Sequence, residues 1–232
     1  MKILQFLGEW SEVWALLIPL IIILVYKPKG INLKWLVLYV VIAFILNFLA
    51  IFFLQYYSLA PSWLNVGNNI FYNLHSFVMV ICFSGYIISV RLYVYPFLLK
   101  SLVVIYLAFV LVNFYFWESP LILSTRHFTA GSVVLLIMCL FYFFRSILDE
   151  SQTNWLKHPS FIICAGVCLY EAITIFIFLF IYPLYNKTYN QNLSFAFLMM
   201  RIYQIIFVVF CISLALGLYQ YRGRTKTITQ PQ

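Results

Sequence analysis

A single carboxyl, Glu171, stands inside an apolar stretch, and Cys164, Cys168 and Thr174 share its helix face at spacings of seven, three and three residues. An ionisable group in hydrocarbon costs about 2.5–3.5 kcal/mol on insertion scales, so such a group is expected to face a bundle interior and to have a partner. Arg201 is a second group of this kind, with Ser194 and Gln204 on its face. A third constellation, Asn68, Asn69, Tyr72, Asn73, His75 and Ser76, covers roughly 160° of helix surface at 100° per residue. Asn47 and Asn113 each add an amide within an apolar run. These residue types offer hydrogen bonds and one charge of each sign in a low dielectric, which is the chemistry of recognition. The candidate ligand-binding residues are therefore Glu171, Arg201, His75, Asn73, Asn69, Gln204, Asn47 and Asn113. Glu171 and Arg201 are expected to approach each other, or to share a ligand or water. Asn47, Asn113 and Gln204 also read as interhelical hydrogen bonds, worth about 0.6 kcal/mol each on average.

Other chemistries fit less well. The three histidines, His75, His127 and His158, fall toward opposite membrane faces and cannot share one tetrahedral zinc. Cys164, Cys168 and Glu171 have a spacing open to a soft metal, but they read first as packing, and no metal is expected. No Gly-rich phosphate loop, nucleophile elbow or HExxH occurs, and no Ser, His and acid fall together at one depth, so no catalytic residue is assigned. The seventh apolar run holds no lysine, which excludes a retinal Schiff base there. No cofactor is implied. The five cysteines all lie in apolar runs and read as small fillers, not as a disulfide framework.

The elements that carry these residues follow from composition. Of 232 residues, 65% are apolar and 9% charged, and the mean hydropathy is +1.00. A soluble domain carries about 25% charged residues, so this chain has too few charges to cover a water-facing surface. Seven apolar runs stand out, roughly 10–26, 35–54, 69–88, 97–116, 129–148, 160–182 and 194–219. They are apolar all round, which predicts membrane helices and not the alternating strands of a barrel. The fold expected is an all-α polytopic bundle over 1–221, followed by a short basic tail at 222–232.

Ten of the 14 cations fall in one set of connections: Lys27, Lys29, Lys34, Arg91, Lys100, Arg145, Lys157, Arg222, Arg224 and Lys226. The positive-inside rule makes that side cytoplasmic, with the N-terminus outside and the C-terminus inside. Glu9 and Glu12 before the first run, in place of a basic region, argue against a signal peptide. The costly polar residues then lie mostly between the midplane and the outer face. This pattern predicts a polar cavity that opens outward and binds a small or amphipathic ligand. A membrane-embedded sensory module would report through a separate cytoplasmic partner. A small transporter or channel, or an intramembrane lipid-modifying enzyme using Glu171 and His75, is the alternative. Membrane lipids are expected partners, and the basic side could meet anionic headgroups. Nucleic acid is not expected. Two N-x-[ST] sequons, at Asn186 and Asn192, lie in the sixth connection.

Asn68-Asn69-x-x-Tyr72-Asn73 opening the third run, Phe141-Tyr142-Phe143-Phe144 ending the fifth, Pro159-x-Phe161 opening the sixth and Gly217-Leu218-Tyr219 ending the seventh form a set. Together they resemble a Bacteroidetes-type family of uncharacterised seven-helix bacterial inner-membrane proteins, some of them encoded near sensor histidine kinases. The resemblance implies a bacterial cytoplasmic membrane location and a sensory role. Its members often carry an acid later in the third helix, where this chain has Met79 among apolar neighbours.

Overall fold

The computed structural model describes residues 8, 10–27, 32–55, 69–90, 96–148, 158–181 and 193–227. Among them are seven α-helices and no strand: α1 Ser11–Tyr26, α2 Leu33–Gln55, α3 Asn69–Ser89, α4 Pro96–Val112, α5 Thr125–Leu148, α6 Pro159–Phe176 and α7 Leu193–Thr227. Six of these, α2 to α7, carry stretches long and apolar enough to cross a membrane. At 16 residues, α1 reaches only about 24 Å, shorter than the 30 Å hydrocarbon core.

Local signals explain the ends. The fifth helix begins at Thr125, four residues before the sequence expectation, because the Ser124 hydroxyl caps it: Oγ accepts from the His127 backbone N–H at 3.2 Å. His158 caps α6, Nδ1 accepting from the Ser160 N–H, with Pro159 at the first helical position. Lys27 closes α1 in the left-handed region (φ 43°), its N–H bonded to the Ile23 carbonyl at 2.9 Å. The seventh helix runs to Thr227, so the basic segment placed in a tail begins as helix.

Six helices form a closed ring in the order α1, α2, α3, α5, α6, α7, with α7 returning to α1. The fourth lies outside it, against α3 and α5. Phe97, Ile105, Leu111, Tyr115 and Phe116 of this outer helix and its last turn are exposed, a surface suited to lipid. The ring is filled by aromatic side chains. Tyr39, Phe83 and Phe210 meet edge to face, with Tyr39 to Phe83 centroids 4.8 Å apart and Phe83 to Phe210 5.6 Å. Tyr170 stacks on Phe210 at 5.2 Å. Glycine lets the helices approach: a Cβ on Gly217 would lie 2.3 Å from Ile163 of α6, and one on Gly166 2.5 Å from Ser213 of α7.

Helices consecutive in sequence run antiparallel, whereas the ring neighbours α3 and α5, and α7 and α1, run parallel; side-chain contacts define two ends. At one end Trp10 meets Phe48, and Phe128 stacks on Phe178 at 4.5 Å. This end holds the starts of α1, α3, α5 and α7, and is called here the amino end. At the other, Tyr26 meets Tyr219, and Tyr221 joins Tyr86 (3.1 Å) and Ser160 (2.6 Å) through their hydroxyls. Lys27, Lys34, Lys100 and Arg145 belong to that opposite end, and all four are exposed.

Candidate functional site

At the amino end, the connection from α4 to α5 is fastened to α3 by a dense polar network. The α4 helix finishes in a π-helical turn, Asn113–Trp117, whose last bond runs from the Glu118 N–H to the Asn113 carbonyl at 2.9 Å. That turn places the buried Asn113 amide against Ser124 Oγ (2.9 Å) and Glu118 Oε2 (3.3 Å). The Ser124 hydroxyl also donates to Glu118. From α3, Asn73 donates through Nδ2 to the carbonyls of Pro120 (2.9 Å) and Ile122 (2.8 Å), and its Oδ1 accepts from the Ser124 N–H at 3.1 Å. His127 Nε2 lies 3.1 Å from the Asn73 carbonyl and Nδ1 3.3 Å from the Tyr106 hydroxyl. A carbonyl only accepts, so Nε2 carries the proton and Nδ1 accepts from Tyr106. Arg126, outermost, reaches Glu118 at 3.7 Å and lies over the Trp117 ring at 5.5 Å.

Deeper in the bundle is Glu171. It lies 12 residues along α6, so about 18 Å from that helix's start at the opposite end. Only 4% of it is exposed. Its Oε2 accepts from the hydroxyl of Ser132 on α5. Tyr39, Tyr106 and Tyr170 are buried in the same bundle. Thr174, one turn onward and 3% exposed, has no partner for its hydroxyl among the described residues. Just beyond, α6 widens into a second π-helical turn, Ile177–Ile181, and Phe178 packs on Phe128 and Tyr203. Beside this group Tyr170 and Tyr203 share a hydroxyl hydrogen bond at 2.7 Å. His75 stacks on Tyr39, with Nε2 3.2 Å from its hydroxyl.

The ion pair expected between Glu171 and Arg201 is not formed. Arg201 is exposed and donates to Gln204 one turn on, at 3.4 Å, while its guanidinium lies against Gly8. A long side chain near a helix start reaches the surface more cheaply than it enters the core. Of the other candidates, His75 lies inside the ring, against Tyr39. Asn73 and Asn113 instead use their amides on the α4–α5 connection. Asn47 donates to the Ala43 carbonyl of its own helix at 2.9 Å. Asn69 opens α3, half-buried. Asn68 and both sequon asparagines lie outside the described residues, as does the Ser194 side chain. Among the described residues no group of three or more His, Cys, Asp or Glu is placed to hold a metal.

Sequence reasoning missed Ser132 and the tyrosines. Ser132 carries no signal, being one serine in an apolar run. Tyr39, Tyr106 and Tyr170 are hidden among 42 Phe and Tyr residues. The chain matches no family model, no curated protein and no solved structure.

Proposed function

We propose that this chain is an integral membrane binding and sensory module of a bacterial cytoplasmic membrane. Its ligand group lies around Glu171, Thr174, His75, Tyr39 and Tyr170, approached from the amino end. One observation carries this reading: Glu171 is a buried carboxyl kept on a serine that does not need it. Elsewhere in the chain the hydroxyls of Thr129, Ser146 and Ser213 satisfy themselves on the carbonyl four residues back, at 2.8, 2.8 and 3.0 Å. Ser132 has the same option. The Glu171 carboxyl is therefore not there to satisfy Ser132; Ser132 steadies the carboxyl. An acid that costs stability and rescues no neighbour fits a binding role. The unused Thr174 hydroxyl adds a second polar atom on the same face.

The Lys and Arg distribution supports an outward-facing amino end. A small or amphipathic ligand entering there would press on the aromatic packing between α3, α6 and α7, and that repacking would pass to the opposite end. Tyr221, Tyr86 and Ser160 join those same three helices there, beside the basic connections a cytoplasmic partner would meet.

Native mass spectrometry of the protein purified from its own membrane tests this. Wild type should leave the micelle with a small-molecule mass attached, and Glu171→Gln should leave without it. Identical spectra from the two proteins would contradict the binding role.

A further inference from the structure

Resting on that reading, the packing also identifies what bars the way to Glu171. We infer that Phe178, stacked on Phe128 and carried on the π-helical turn of α6, is a gate between the amino end and the Glu171 group, and that it opens when this turn relaxes to α-helical winding.

Position is the first argument. Glu171 on α6 and Ser132 on α5 form a hydrogen-bonded pair across the seam between the two helices. Phe128 lies one turn from Ser132, and Phe178 about two turns from Glu171, both toward the amino end. Their rings stack at 4.5 Å, and Phe178 also meets Tyr203 of α7 edge-on at 6.2 Å. Both phenylalanines are buried. An aromatic layer thus runs from α5 through α6 to α7, between the carboxyl and the amino end. Thr174 lies beneath it, between Glu171 and Phe178, with its buried hydroxyl unpartnered among the described residues.

The second argument is what can yield. With Glu171 only 4% exposed, a ligand from the amino end reaches it only if an element there moves. The α4–α5 connection is held to α3 by three hydrogen bonds from Asn73. Moving it would strip partners from buried polar groups. The turn Ile177–Ile181 is wholly apolar, so its side chains hold by packing alone.

The third is the winding. Single π-helical turns inside α-helices are rare and concentrate at functional sites. Side-chain direction depends on residues per turn, so a return to α winding would swing Phe178 about the helix axis and off Phe128. Each N–H in the turn would exchange one carbonyl for its neighbour, and no donor would be left unpaired.

The test measures entry without a ligand. Thr174→Cys, in the full chain with the five native cysteines replaced and held in nanodiscs, is treated with a water-soluble methanethiosulfonate, and the labelling rate is read by intact mass. Adding Phe178→Ala should raise that rate about tenfold, the effect of removing an aromatic pair from the closed form. Phe176→Ala, on the exposed side of the same helix, should leave it unchanged. Equal rates with and without Phe178, or the same acceleration from Phe176→Ala, would overturn the gate. The Glu171 reading is judged by its own mass spectrum, so the two fail separately. Should Phe178→Ala not fold, Phe178→Leu keeps an apolar side chain without the ring stack and decides in the same way.

Discussion

Neighbouring residues at the amino end do different work, and their substitution should separate them. Asn73 makes three hydrogen bonds to the α4–α5 connection, one of them to the buried Ser124 N–H. Leaving a buried donor without a partner costs about 1–3 kcal/mol. Asn73→Leu should therefore lower the unfolding free energy by that amount, measured by dodecyl sulfate titration in mixed micelles with circular dichroism. Arg126 is 57% exposed by side chain, and its pair with Glu118 is long. Arg126→Ala should cost about 1 kcal/mol or less in the same titration, the range of exposed ion pairs and cation–π contacts. Equal losses from the two would show that the network is not the buried staple described above. At this scale the sequence was only partly legible. It located Glu171, Asn73 and His75 because polar residues in apolar runs are conspicuous. It could not pair them, because pairing depends on depth and on helix rotation: Gly166 facing Ser213 sets Glu171 more than a turn deeper than Arg201, and Arg201 faces outward while Glu171 faces the ring.

Elements were far more legible. Seven apolar runs became seven helices because hydrocarbon leaves the backbone little choice. The ends shifted where capping residues act, as Ser124 does for α5. The exclusion of α4 from the ring had no counterpart in hydropathy, since a lipid-facing helix and a packed one are equally apolar. What the packing does require is small residues between α6 and α7. A Cβ on Gly217 would meet Ile163 Cγ1 at 2.3 Å and the Pro159 carbonyl, backbone that cannot step aside, at 3.1 Å. Gly217→Val should cost about 1–3 kcal/mol through overpacking. Ile105→Leu, on the exposed face of α4 (63% exposed), should change stability by less than about 0.5 kcal/mol. Both are read by the unfolding titration, and a larger effect at Ile105 than at Gly217 would contradict the ring arrangement.

For the whole molecule, the described cations of the opposite end, Lys27, Lys34, Lys100 and Arg145, support the proposed topology: N-terminus outside, C-terminus in the cytoplasm. Cysteine substitutions at Lys2 and at Thr229, in a background lacking the five native cysteines, should react with an impermeant maleimide on intact cells at the first position only. The reverse pattern would invert the proposed direction of ligand entry. The central claim concerns Glu171, whose carboxyl is held for a ligand and not for the fold. Without the Arg201 pair, neutralising it removes no ion pair, and the Ser132 hydroxyl can still donate to a glutamine carbonyl. The most direct measurement is therefore the ligand-free unfolding free energy of Glu171→Gln against wild type in the same lipid. A variant as stable as wild type or more so is the expected result, because residues kept for binding often burden the fold. A loss of about 2 kcal/mol or more, the size of a broken buried hydrogen bond to a charged group, would show that Glu171 is structural.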